Sequence, residues 1–314
     1  VKTIAGEDQL VGRKHRDVSA PIGWDRARAI CGDPRPPGAV TERQFDGYDH
    51  VLKRLARTPH ERMDLGDLGY YYHDLAYVEL QLDLLEYLLP ACLMDWRDSL
   101  MKNRSAGDGG VELHFGLLRG DVLERLVAAD RREAVYAFFR DAFLERLDAE
   151  RGFVAAGMRT PAYGWMGRFN SVGLIMPRID LLWEPWWSLE TPGRAVAALQ
   201  YCSGLMYFEG ENPLFSRWTP ERGEGGPYLT ESDSLIHDVG WKPENVEFLS
   251  RTLTVEFVEV RVAQAVARLE GEPDGEKARR LLDDLPASRD LIASRAAELP
   301  LLLAKPARLA GWSV

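Results

Sequence analysis

Cysteine is scarce in this 314-residue chain: Cys31, Cys92 and Cys202 lie far apart and show no CxxC spacing. An odd count at such separations supports neither a disulfide framework nor a zinc site, and the three read as buried thiols. Lysine is scarce as well, at seven of 39 basic residues, an arginine bias typical of GC-rich bacterial genomes. No basic run exceeds Arg13-Lys14-His15-Arg16, and 49 acidic residues leave a formal net charge of −10. That balance repels phosphate and disfavours a nucleic-acid partner, while it suits a basic protein. No apolar run approaches the roughly 18 residues of a membrane span, and Val1-Lys2-Thr3 opens no signal-peptide core. The expectation is therefore a cytoplasmic protein with no membrane partner. Short catalytic signatures are missing too: HExxH, GxSxG, a phosphate loop, GxGxxG after a strand and an EF-hand loop. Neither a cofactor nor a metal is expected.

What is present is apolar, with 46% hydrophobic and 10% aromatic residues, enough for a large core. The pattern predicts a mainly α protein: an irregular multi-helix bundle in two fused lobes with few or no strands. Residues 1–40 read as an N-terminal arm with one short helix near Trp24 to Ile30. Residues 41–157 form an N-terminal helical lobe, and 158–314 a C-terminal helical lobe with Trp-rich loops. Thr41 reads as the N-cap of a helix from Glu42 to about Arg57, with Phe45, Tyr48, Val51, Leu52 and Leu55 at helical spacing. Segment 70–80 is ambiguous between strand and helix. Helical stripes follow at 82–102, bent by Pro90, and at 130–152. Thr160-Pro161, Thr191-Pro192 and Thr219-Pro220 are N-cap and first-turn pairs. One long helix is expected from Pro243 to Leu269, then two more, at 275–285 and 287–303.

Six of nine tryptophans, Trp165, Trp183, Trp186, Trp187, Trp218 and Trp241, fall between 165 and 241. Such rings either anchor loops onto helices or line a groove for a ligand or partner. Exposure separates the two. For a binding groove the candidates are Trp183, Trp186, Trp187, Trp218 and Arg168, whose guanidinium, beside Asn170, suits a carboxylate. For catalysis or metal binding the candidates are Glu209 and Glu211 beside Asn212, with Asp233, His237 and Asp238 next in sequence, and Arg168 as anion holder. These groups equally satisfy loop backbone. His73-Asp74 and His237-Asp238 suggest hydrolase pairs, and His114 a core histidine bonded to a backbone carbonyl. Glu79, Asp83 and Glu86 share a helical face if the helix starts that early, which reads either as a solvated face or as an acidic patch for a basic partner.

The segment Leu84-Leu85-Glu86-Tyr87-Leu88-Leu89-Pro90-Ala91-Cys92-Leu93 follows Leu68-Gly69-Tyr70-Tyr71 and precedes an amphipathic helix at 131–147. Over about residues 68–150 this resembles uncharacterised bacterial proteins with a YLLPA-type helix, some of them immunity-like. The resemblance implies a small-partner or immunity role in a bacterial conflict system and carries no functional residue. The leading expectation is a bacterial cytoplasmic protein-binding protein, an immunity or accessory protein, using an acidic and aromatic surface. Two alternatives are an enzyme of unfamiliar type with its site in 165–241 and a structural subunit of a larger assembly.

Overall fold

Apolar residues recur at three and four rather than at two, and the chain accordingly folds as helices. The computed structural model describes residues 22–102, 110–153, 161–207, 212, 214 and 240–304, without the side chains of 110, 111 and 161–164. Among these residues there are thirteen α-helices and no strand. The first seven are α1 (Trp24–Ile30), α2 (Asp49–Leu55), α3 (Leu68–Tyr77), α4 (Leu82–Met101), α5 (Gly110–Arg119), α6 (Val122–Leu126) and α7 (Ala129–Asp148). The others are α8 (Pro161–Ile175), α9 (Asp180–Trp187), α10 (Pro192–Met206), α11 (Pro243–Thr252), α12 (Val255–Arg268) and α13 (Gly275–Ala304). The ambiguous 70–80 segment is helical through Tyr77. No helix among the described residues is long and apolar enough to cross a membrane.

Two helices are buried on nearly every side and organise the rest. In α4, residues 84–85 and 87–96 are all buried, and the helix packs on α1, α5 and α7. Burial around most of the circumference is what an apolar sequence lacking a strong polar face dictates. The second hub, α10, touches α7, α8, α9, α12 and α13. Its entry is fixed as its sequence foretells: Thr191 Oγ1 accepts from Arg194 N at 3.2 Å, with Pro192 in the first turn. The core runs without a break across the 157/158 junction, where Phe143 of α7 meets Trp165 of α8 at 5.3 Å and Trp186 of α9 at 5.8 Å. All three cysteines are buried and form no disulfide with one another.

Four expected helices have different bounds. The helix expected from Glu42 begins at Asp49, because Gly47 takes φ +84° in a tight turn closed by Gly47 N–H donating to Gln44 O at 3.0 Å. Thr41 caps nothing; its N–H and Oγ1 both reach Gln81 Oε1. The long helix from Pro243 breaks at Leu253, and Thr254 recaps it as α12, its side chain accepting from Phe257 N. The two helices expected after Gly275 are one of 30 residues, roughly 45 Å long, with Pro286 and Pro300 inside it. Each proline forfeits one backbone bond, and the leucine stripe packed on α11 and α12 holds the helix together.

Candidate interaction surface

The tryptophans expected near a groove lie inside. Trp183, Trp186 and Trp187 are 2%, 0% and 1% exposed. Tyr201 of α10 stands perpendicular to all three, at 83°, 87° and 87°, and Phe169 of α8 packs on Trp183, Trp186 and Trp241. The three indole N–H groups have no conventional acceptor; edge-to-face packing supplies the aromatic contact instead. These rings are therefore spent on one another. Arg168 is buried over the Trp165 ring at 5.0 Å, with Arg146 over the same ring at 5.5 Å. Glu150 joins them by pairing with Arg146 and accepting from Trp165 Nε1 at 3.1 Å. Burial, then the neighbouring Arg146, pushes the Arg168 guanidinium down to about 10. Trp218, Glu209, Glu211, Asp233, His237 and Asp238 lie outside the described residues. Asn212 is held internally: it donates to Ser203 Oγ and accepts from Leu214 N.

The remaining sequence candidates are placed as follows. His73 bonds Asp46 through Nδ1 at 2.7 Å, not its neighbour Asp74, whose Oδ1 accepts from Phe45 N. The pair is therefore no relay. Both ring nitrogens of buried His114 are without a hydrogen bond, so the expected carbonyl contact is not made; packing against Trp96 and Phe139 encloses the ring. Glu79 precedes α4 and shares no helical face with Asp83 and Glu86, and Glu86 pairs with Arg131 at 2.5 Å.

Eight large hydrophobic side chains are strongly exposed among the described residues, and the four aromatic ones stand together: Phe45 (52%), Tyr48 (41%), Tyr70 (38%) and Tyr77 (46%). Two come from α3, whose outward face carries Tyr70, His73 and Tyr77 at spacings of three and four while Tyr71, Tyr72, Asp74 and Leu75 point inward. The other two come from the strap formed by residues 39–48. There side chains alternate, Glu42 and Gln44 inward, Arg43 and Phe45 outward, as extended backbone requires. Phe45 stacks on Tyr77 at 4.6 Å, and Tyr48 packs on Tyr70 at 4.5 Å. Phe115 of α5 extends the patch at 6.3 Å from Tyr77, and Arg119 lies over both rings, 5.2 Å from Tyr77 and 5.8 Å from Phe115.

Acids rim this patch. Asp46 of the strap is bonded to His73, and Asp49 at the start of α2 is bonded to Gln44 N and Arg43; Glu79 and Asp83 follow in sequence between α3 and the first turn of α4. The hydrogen bond from His73 holds Asp46 below the usual carboxylate range. The Gln44 N–H and then Arg43 do the same for Asp49. The strap is sewn down from several sides: Gln44 Nε2 donates to Tyr70 O, Gln44 Oε1 accepts from Tyr48 N, and Gln81 Nε2 donates to Ala39 O. Tight seating of α3 comes from two glycines of α5 and the turn after it. A Cβ on Gly116 would lie 2.6 Å from Tyr72 O, and one on Gly120 would lie 1.9 Å from Leu75 O. Planar rings beside carboxylates are a receptor for cationic side chains, and Arg119 already uses two of the rings that way.

No protein-family model, no curated protein and no solved structure matches this chain.

Sequence reasoning missed this surface because it assigned Phe45 and Tyr48 to the buried stripe of a helix. The signal that finds it is the spacing of Tyr70, His73 and Tyr77, which becomes one face once 68–77 is read as helix.

Proposed function

We propose that this chain is a protein-binding protein and that its docking surface is the aromatic face shared by the strap and α3. The observation that carries the reading is that, among the described residues, all four strongly exposed aromatic side chains pair along one face of α3, Phe45 on Tyr77 and Tyr48 on Tyr70. Aromatic residues left together at a surface are characteristic of interfaces, since each ring gains a large buried area at little entropic cost. The acidic rim and the net charge of −10 select a basic partner, one that presents arginine to the rings. The setting implied by the resemblance is a bacterial cytoplasm, with the chain as immunity or accessory component and the partner as the protein it restrains or assists.

Reconstitution with purified components tests this. The tagged chain is used to recover partners from the cells that make it, the stoichiometric partner is purified, and its affinity is compared for the wild type and two variants. Phe45→Ser combined with Tyr77→Ser should weaken binding at least 30-fold, as expected when central aromatic anchors worth about 2 kcal/mol or more are removed. Leu301→Ser, exposed on α13 away from the patch, should leave it unchanged. A folded, abundant bait that recovers no partner, or a partner indifferent to the double substitution, refutes the proposal.

A further inference from the structure

The strap that displays Phe45 and Tyr48 is fastened from beneath by two buried carboxyl groups. Glu42, 6% exposed, accepts from Gln81 N through Oε2 at 2.6 Å. Asp74, 0% exposed, accepts from Phe45 N through Oδ1 at 2.7 Å. The second oxygen of each, Glu42 Oε1 and Asp74 Oδ2, is buried with no hydrogen-bond partner, and so is the hydroxyl of Tyr71, which lies within electrostatic reach of both. Each acid thus spends one oxygen on the backbone and leaves the other free to carry a proton.

The surroundings favour that proton. The strap contributes Asp46, and α2 contributes Asp49; both raise the cost of charge on Asp74. From α3 come Tyr71, an uncharged hydroxyl, and His73, which opposes that cost but is bonded to Asp46. Arg43 is turned outward onto Asp49. The Cys92 thiol of α4 lies near Tyr71, and burial pushes it well above its ordinary value, so it supplies no charge. Asp83 at the start of α4 accepts from the Gln81 amide and adds only negative potential. Among the described residues no cation is bonded to either carboxyl, so two ionised carboxylates here are a costly state. Burial accordingly raises Glu42 to about 7 against the pull of the Gln81 N–H, and raises Asp74 to about 7 against the Phe45 N–H.

We propose that the 39–48 strap is a proton-linked latch: protonation of the Glu42 and Asp74 carboxyls holds it closed on α3, and their ionisation releases it, dispersing half of the aromatic face. The sign follows from linkage. Both groups titrate higher when buried than when the strap is open, so their contribution to closure is complete below the ordinary carboxylate range, is lost as pH rises, and is gone above about 7. Within that window, each proton released on opening raises the open fraction about tenfold per pH unit.

Amide hydrogen exchange on the isolated chain tests the latch without any partner. After normalisation for the intrinsic hydroxide-catalysed rate, protection of the Phe45 and Gln81 amides should fall at least tenfold between pH 5.5 and 7.5 and level off above about pH 8. Glu42→Gln and Asp74→Asn keep an oxygen for the same backbone donors and remove the titration. The double variant, checked for folding by circular dichroism, should hold protection flat over that range. Wild-type protection independent of pH, or a pH dependence that survives in the double variant, overturns the proposal. The consequence for binding rests on the docking surface proposed above: partner affinity should fall in parallel with protection. If protection falls and affinity does not, the latch stands and docking through the strap is refuted.

Discussion

Gly173 offers the sharpest test of the packing that carries the C-terminal half. It lies in the last turn of α8, where a Cβ would sit 2.2 Å from Cζ2, 2.3 Å from Cε2 and 2.8 Å from Nε1 of Trp241. Carbon contacts relax only near 3.5–4.0 Å, so Gly173→Ala requires the indole to retreat by roughly 1.3 Å or more. The ring has little room, being 4% exposed and packed edge-on against Phe169 at 5.5 Å. Retreat also breaks the bond from Trp241 Nε1 to Asn170 O at 2.8 Å. Overpacking costs about 1–3 kcal/mol and the hydrogen bond about 1 kcal/mol, against a gain of up to about 1 kcal/mol for replacing glycine in a helix. The net expectation is a loss of about 1–3 kcal/mol, read as a lower urea midpoint with an unchanged slope. The same substitution made in a Trp241→Leu background meets no indole, so only the helix-propensity gain remains and the sign reverses. A double-mutant cycle on these four proteins yields a coupling of about 2 kcal/mol or more. Should Gly173→Ala cost the same in both backgrounds, the close approach of α8 to Trp241 is not what excludes a side chain there, and the reasoning fails.

Two further predictions concern the fold. Burial pushes His114 down to about 3, so the folded chain refuses a proton that the unfolded chain accepts below about 6.5; stability attributable to this residue is present above that pH and is lost by up to about 1.4 kcal/mol per unit as pH falls towards 3. His114→Leu, which removes two unpartnered nitrogens, should raise the urea midpoint at pH 5 by more than at pH 7, and an equal change at both would refute this account. Thr191→Ala removes the cap of α10 and the bond from Thr191 Oγ1 to Asp148; thermal unfolding should show a loss of about 1–2 kcal/mol, and Thr191→Ser should recover most of it.

The helices were legible where a cap and an apolar stripe agreed and no distant partner competed for the cap. The Thr191-Pro192 pair and the stripe through Val196, Leu199 and Cys202 specify α10 twice over, and α10 is as expected. The failures occur where a tertiary bond replaces a local one. Thr41 has the chemistry of a cap, but Gln81, forty residues on, takes both its N–H and its hydroxyl, and Asp74 takes the N–H of Phe45. Nothing local to 41–48 announces those partners, so the spacing of Phe45, Tyr48, Val51, Leu52 and Leu55 reads as one helical stripe when only the last three are buried. Pro286 misleads in the opposite sense: proline is a local breaker, and packing along α13 overrides it.

The same logic explains why Trp183, Trp186 and Trp187 anchor the core and line no groove. A tryptophan cluster in sequence marks a large apolar area, and the cheapest way to remove that area from water is to bury it on neighbouring helices, as α8, α9, α10 and α12 do here. Rings kept at the surface need a reason to stay there, and in this chain that reason is geometric. Glu42 and Gln44 turn inward, onto Gln81 N and Tyr70 O, and Phe45, in the turn closed by Gly47 N–H on Gln44 O, faces outward onto the exposed face of Tyr77. Glu42 and Gln44 beneath and Phe45 and Tyr48 above belong to one short segment, so whatever moves the strap moves the surface it presents.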